Sequence, residues 1–301
     1  MKISIIGAAG TLGTCTAFTL ATEKIAEEIV MIDINRNVLM GHALDMALAT
    51  AGRGVVIRPG EYQDMSNSDV VIMVASMPGK PGTPPDEVIK ENIPVINEAA
   101  KNIARFCPEA VVITASNPAD SLNYAMYLRS NLDRKKVIGY TMNDTLRFRM
   151  AIANALGVKS SDVDGLAIGE HARALAYLFS SVRVKGLPVS INEDLKQQIR
   201  RDVPGMLRTF ISFQTSRTMG WTSAVGLADM VSLIRADAGK VVPCSVVLKG
   251  EYGYEGFSMS VPVVLGQGGI RQILNWELAA DEKEELNRAA ASLKASAKMV
   301  N

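Results

Sequence analysis

Short apolar runs punctuate the first half of the chain, at residues 3–6, 29–32, 55–57, 70–74, 110–113 and 137–138, with Ser4 the one polar position among them. Runs this brief and this continuously apolar suit strands covered on both faces, as in a parallel sheet. Helical patterns lie between them. In the clearest, Ile89, Ile93, Ile96, Ala100 and Ile103 recur at steps of four and three, laying one apolar stripe along a helix. Strands alternating with helices predict an α/β fold, a doubly wound parallel Rossmann sheet, over residues 1–143.

Residues 144–301 read differently. Helical segments near 144–156, 192–214 and 222–238 are mixed with strand-like runs at 163–168, 176–184, 241–248 and 260–265. A last helix is expected from Asp281, with Glu284 three residues on as in a capping box. Its face is Leu286, Ala290, Leu293, Ala297 and Val300. This half is expected to be an α+β substrate domain.

Composition narrows the partners. With 32 Lys and Arg against 31 Asp and Glu, the net charge of +1 lacks the basic excess of a nucleic-acid binder. Cys15, Cys107 and Cys244 are too few and too dispersed for a disulfide framework or a zinc site, and their apolar surroundings predict buried free thiols. No metal is expected. No apolar run approaches a membrane span. The first residues enter a strand pattern at once, which leaves no room for a signal peptide and predicts a cytoplasmic protein. A small molecule is the expected partner.

The run Gly7-Ala8-Ala9-Gly10-Thr11-Leu12-Gly13 follows the first strand and opens the first helix. Glycines there let backbone approach a pyrophosphate, and the helix N-terminus supplies N–H donors. Asp33 ends the second strand twenty residues after Gly13, where its carboxylate can accept from the adenine ribose hydroxyls and repel a 2′-phosphate. Strand, glycine turn, helix, strand and acid in this order point to NAD, with Gly7, Gly10, Thr11, Leu12, Gly13 and Asp33 as its site. Short-chain dehydrogenases use a Tyr with Lys four residues on, and no tyrosine here has that neighbour.

Hydride chemistry at a hydroxyl-bearing carbon needs a proton carrier, and histidine suits neutral pH. There are two. His42 lies in a helical pattern; His171 follows a strand, where position alone leaves catalytic and structural roles equally open. The chain as a whole resembles the malate and lactate dehydrogenase family. The resemblance rests on Gly7-Ala8-Ala9-Gly10, Gly41-His42-Ala43-Leu44-Asp45-Met46, Ser116-Asn117-Pro118-Ala119-Asp120, Asp144-Thr145-Leu146-Arg147-Phe148-Arg149, Ile168-Gly169-Glu170-His171 and Gly250-Glu251-Tyr252-Gly253, in the family's order from end to end. It implies an NAD-dependent oxidoreductase acting on a small 2-hydroxy or 2-oxo acid, as a homodimer or homotetramer. It further implies that His171 is the acid–base, Asp144 its partner, and Arg147 the clamp on the substrate's C1 carboxylate. Asn117 would bond near nicotinamide and substrate.

The chain departs from that family in one loop. Pro78-Gly79-Lys80-Pro81-Gly82-Thr83-Pro84-Pro85 has Gly79 and Pro85 where the family carries two arginines, one for a second carboxylate and one that polarises the carbonyl. After His171 the family has Gly and an acid; here Ala172 and Arg173 follow. Lys80 or Arg173 is the expected source of replacement charge. Overall likeness leans to malate, the loop to a monocarboxylic acid. The alternative is a catalytically impaired dinucleotide-binding protein with a binding or regulatory role.

Overall fold

The structure is a computed structural model that describes residues 1–77, 83–215 and 218–300. Its first half builds β1 (Lys2–Ile6), α1 (Thr11–Thr22), β2 (Glu28–Ile32), α2 (Arg36–Ala49), β3 (Val56–Pro59), β4 (Val70–Met73), α3 (Pro85–Phe106), β5 (Val111–Thr114), α4 (Ala119–Ser130) and β6 (Val137–Tyr140). The six strands run parallel in the order β3-β2-β1-β4-β5-β6. β4 and β5 are buried at every position, because helices cover both faces of the sheet. The order reverses between β1 and β4, and the crevice outside the carboxyl ends of the strands at such a point is where doubly wound sheets bind ligands.

The second half continues with α5 (Met142–Leu156), β7 (Val163–Asp164), β8 (Ala167–Glu170), β9 (Ala174–Tyr177), β10 (Arg183–Val184) and β11 (Leu187–Pro188). After these come α6 (Glu193–Ser212), α7 (Gly220–Ala236), β12 (Val241–Lys249), β13 (Glu255–Gly266), β14 (Gly269–Ile273) and α8 (Ala280–Val300). It extends the first sheet. β12 joins β6 antiparallel, Cys244 opposite Tyr140 and Ser245 opposite Gly139, and β13, β8 and β9 follow. One apolar core spans both halves. A smaller one, built on the tilted and edge-to-face rings of Phe148, Tyr177 and Phe179, lies beneath α5 and α6.

Three expectations are corrected. The run 163–168 splits at Gly165, which packs against the Phe148 ring, so β7 joins a separate small sheet and only β8 joins the large one. The run 176–184 likewise breaks after Tyr177, where Ser180 is held by Glu282 through its N–H and its hydroxyl, both at 2.8 Å. The capping box at Asp281 and Glu284 does not form. Helix α8 starts one residue earlier, the Ala279 N–H donates to Glu282 at 3.0 Å, and Asp281 turns to Arg200 at 3.1 Å. The predicted face of α8 is buried at all five positions. Glu285 on that face accepts the Tyr177 N–H at 3.1 Å, which ties α8 to β9 behind the turn that carries His171.

All three cysteines are free and buried. Among the described residues no helix is long and apolar enough to cross a membrane.

Candidate active site

The glycine turn sits at the switch point. Gly7 leaves β1 at φ +94°, and a Cβ there would come within 2.5 Å of the Ala75 backbone nitrogen. A Cβ on Gly13 would lie 2.3 Å from the Gly7 carbonyl oxygen. Both contacts are backbone against backbone, so neither position tolerates a side chain. Gly10 is the N-cap of α1 and no side chain caps the helix. The first-turn N–H groups of Thr11, Leu12 and Gly13 are therefore available to an external anion. Asp33 accepts the Ala9 N–H at 2.9 Å and the Asn35 N–H at 2.8 Å, binding the turn to β2 while each oxygen keeps a second acceptor direction. Arg36, the nearest cation in sequence, is drawn off to Glu61 at 2.6 Å. The next residue after the acid, Ile34, is fully exposed. Sequence reasoning passed it over, although an apolar residue directly after that acid was the signal. These residues fit a dinucleotide: a backbone cradle for the pyrophosphate, an acid for the ribose and an apolar surface beside it.

Across the crevice, β8 turns into β9 through His171, Ala172 and Arg173. The buried carboxylate of Asp144, in the first turn of α5, lies 2.6 Å by its Oδ2 from His171 Nδ1 and accepts from Arg147 Nη1 at 3.0 Å on Oδ1. Oδ2 also takes the Ala172 N–H at 3.3 Å. A second buried acid, Asp120 at the start of α4, accepts the His171 backbone N–H at 2.8 Å and the Ser245 hydroxyl at 2.5 Å. Burial alone would disfavour the imidazolium, but the charge and hydrogen bond of Asp144, with Asp120 behind it, outweigh that and hold His171 above its ordinary value. Desolvation is the larger influence on Asp120, whose carboxyl is pushed up to about 6.

The turn is strained at one residue. Arg173 N–H bonds to Glu170 O at 3.2 Å, and Ala172 between them sits at φ +60°, a position that type II turns reserve for glycine. Left-handed backbone costs an L-residue roughly 1–2 kcal/mol, against the roughly 0.5–1 kcal/mol of chain entropy that glycine gives up. Ala172→Gly is expected to stabilise the protein by about 0.5–1 kcal/mol. In thermal melts that corresponds to a Tm rise of about 1–4 °C at this chain length.

Arg147, His171 and Asn117 line a common cavity of about 210 Å³, walled on its far side by α6 and by the segment leading into α7. Arg147 Nη2 faces the Met219 sulfur at 3.5 Å, and its buried Nε–H has no partner among the described residues. The structure does not bring Arg173 into this cavity. Its guanidinium pairs with the buried Glu170 at 2.9 Å and is half exposed, because the turn points successive side chains to opposite sides. It borders a different hollow, behind Asp144 and Arg147. Lys80 and Gly79 lie outside the described residues. Pro85 opens α3 as its first residue, a position where its missing N–H costs nothing. Asp120 and Met219, not assigned from sequence, gain their place only through tertiary contacts with the turn and with Arg147.

A doubly wound sheet whose glycine turn faces an imidazole held by a buried acid is the architecture of a nicotinamide-dependent dehydrogenase. Residues 1–139 match the model of the lactate/malate dehydrogenase NAD binding domain, and 141–301 that of the family's alpha/beta C-terminal domain. The chain belongs to the lactate/malate dehydrogenase family. It is 34% identical to a malate dehydrogenase of Halobacterium salinarum over 98% of this chain and 97% of the relative. Among solved structures it is similar to the minor L-lactate dehydrogenase of Enterococcus mundtii, with a TM-score of 0.93 and 28% identity over 100% of this chain and 98% of that one. It is also similar to the lactate dehydrogenase of Cryptosporidium parvum complexed with lactic acid and NAD, with a TM-score of 0.91 and 30% identity over 99% and 97% of the two chains.

Proposed function

We propose that this NAD-dependent dehydrogenase interconverts a 2-oxo acid and its 2-hydroxy acid with His171 as acid–base, Asp144 as its partner and Arg147 as the C1 carboxylate clamp. The observation that carries the assignment is the Asp144 bridge, one oxygen on the imidazole and the other on the guanidinium. When bound, the nicotinamide supplies or accepts the hydride. The chain's residues do the rest. Among the described residues, the Arg147 Nε–H has no partner and its Nη2 faces the weak sulfur acceptor of Met219. That edge suits a carboxylate held through two parallel hydrogen bonds, with the Met219 sulfur displaced. Bound there, the substrate presents its carbonyl oxygen to His171 Nε2. The imidazolium gives up its proton as the carbonyl is reduced, while Asp144 keeps Nδ1 protonated. In the reverse direction neutral His171 takes the hydroxyl proton. Asn117 stands at the carboxyl end of β5 to orient both reactants. Gly7, Gly10, Thr11, Leu12, Gly13, Asp33 and the exposed Ile34 bind the cofactor.

The test is label transfer. NADH carrying deuterium on its reactive face is expected to yield a 2-hydroxy acid labelled at C2. NADH binding with no label passed to any 2-oxo acid would favour the impaired, binding-only reading instead.

The proposal extends to assembly. Phe18 of α1, Leu44 and Leu48 of α2, and Trp221 and Val225 of α7 are exposed apolar side chains, and Phe18 and Trp221 border one hollow with His42. Such a patch on a folded chain marks an interaction surface, and a second copy meeting it about a two-fold axis gives a closed dimer. Trp221→Glu is expected to weaken self-association by about 30-fold or more. Sedimentation across a dilution series reads this directly, and an unchanged profile would remove this surface from the assembly.

A further inference from the structure

We infer that the substrate's C2 side chain is an aliphatic group, as in the 2-oxo acid derived from leucine, and not a second carboxylate; this rests on the dehydrogenase reading above. The carrying observation is the wall that faces Arg147 and His171 across the cavity. Leu207, Phe210 and Ile211 come from the end of α6, and Met219 from just before α7. Helix α6 buries only Ile199 and Val203 in the protein's core. Its last turns carry apolar side chains that the core does not use, Ile211 being 64% exposed at the rim. Apolar side chains left at the edge of a polar site are covered when a ligand is bound, and they gain from an apolar one.

Three polar side chains that line the cavity bond among themselves and to backbone. Tyr140 Oη donates to Asn143 Oδ1 at 2.7 Å, Asn143 Nδ2 donates to Ser223 Oγ at 2.8 Å, and Ser223 Oγ donates to the Met219 carbonyl at 3.1 Å. Among the described residues that line the cavity, Arg147 is the one permanent cation. The C1 carboxylate occupies it. A second carboxylate would be stripped of water against leucine, phenylalanine and methionine with no second counter-charge among the described residues that line the cavity, which is strongly unfavourable. An aliphatic chain loses nothing there and buries its surface.

The experiment compares kcat/KM of the full chain with saturating NADH for pyruvate, 2-oxobutyrate, 4-methyl-2-oxopentanoate and oxaloacetate. Each well-placed methylene is worth roughly 10-fold or more in such a pocket. The branched acid is therefore expected to exceed both pyruvate and oxaloacetate by at least roughly that factor. A preference for oxaloacetate or pyruvate overturns the inference and leaves the dehydrogenase reading standing. NADH binding without turnover of any of the four overturns the reading itself, and the inference with it. Ile211→Arg places a cation on a position already exposed, so folding is not at stake. It is expected to move the oxaloacetate to 4-methyl-2-oxopentanoate ratio upward by roughly 10-fold; an unmoved ratio with unchanged NADH affinity excludes this wall from substrate selection.

Discussion

Asp144→Asn is expected to lower kcat/KM for 2-oxo acid reduction by roughly 100- to 10,000-fold, the contribution of a positioned acid–base group. The amide is the same size and can still accept from Arg147, so the clamp keeps its shape. Toward His171, however, it offers an N–H. Nδ1 must then accept rather than donate, which leaves a neutral ring where the reaction needs an imidazolium. The same substitution moves the pH profile. His171 is held above its ordinary value of about 6.5 by Asp144. Wild-type reduction therefore runs level at low pH and falls as pH rises through the raised folded-state value, while oxidation runs the opposite way. In the variant that limb shifts to lower pH. Folding stability carries the same sign: the His171–Asp144 pair contributes fully below the unfolded histidine value and loses its contribution as pH rises through the folded one. A loss under about tenfold together with an unmoved limb would exclude Asp144 as the partner.

Much of this molecule is legible without coordinates, and the residues where legibility ends share a cause. The six parallel strands are short and built on apolar runs, so each announces itself locally, and the glycine turn is written in consecutive residues. The split of 163–168 was not readable, because it depends on Phe148 packing over Gly165 from another element. Asp120 has no local signature either. It becomes part of the site only because β12 brings Ser245, and the turn brings the His171 N–H, to either side of its carboxylate. Arg173 illustrates the opposite error. Two positions from His171 in sequence seemed close enough for shared work, yet a tight turn sends it to Glu170 on the other side. Residues separated by a turn are neighbours along the chain and strangers in the cleft.

The second large effect belongs to Arg147→Leu. Removing one member of a buried, hydrogen-bonded charge pair costs roughly 2–5 kcal/mol, which is about 30- to 5,000-fold in kcat/KM. The loss is expected in KM as well as kcat, because the guanidinium both binds the C1 carboxylate and aims the carbonyl at His171. NADH affinity should stay constant, since the glycine turn and Asp33 lie across the crevice. A second readout separates the clamp from mere packing. Arg147 lowers the proton affinity of His171, in opposition to Asp144. Without its charge the imidazolium is favoured further, so the descending limb of the reduction profile moves to higher pH, opposite to its movement in Asp144→Asn. Two variants on one carboxylate bridge thus displace one titration in opposite directions. An Arg147→Leu enzyme with unchanged KM for the 2-oxo acid, or with a limb shifted downward, would mean that the guanidinium faces something other than the substrate.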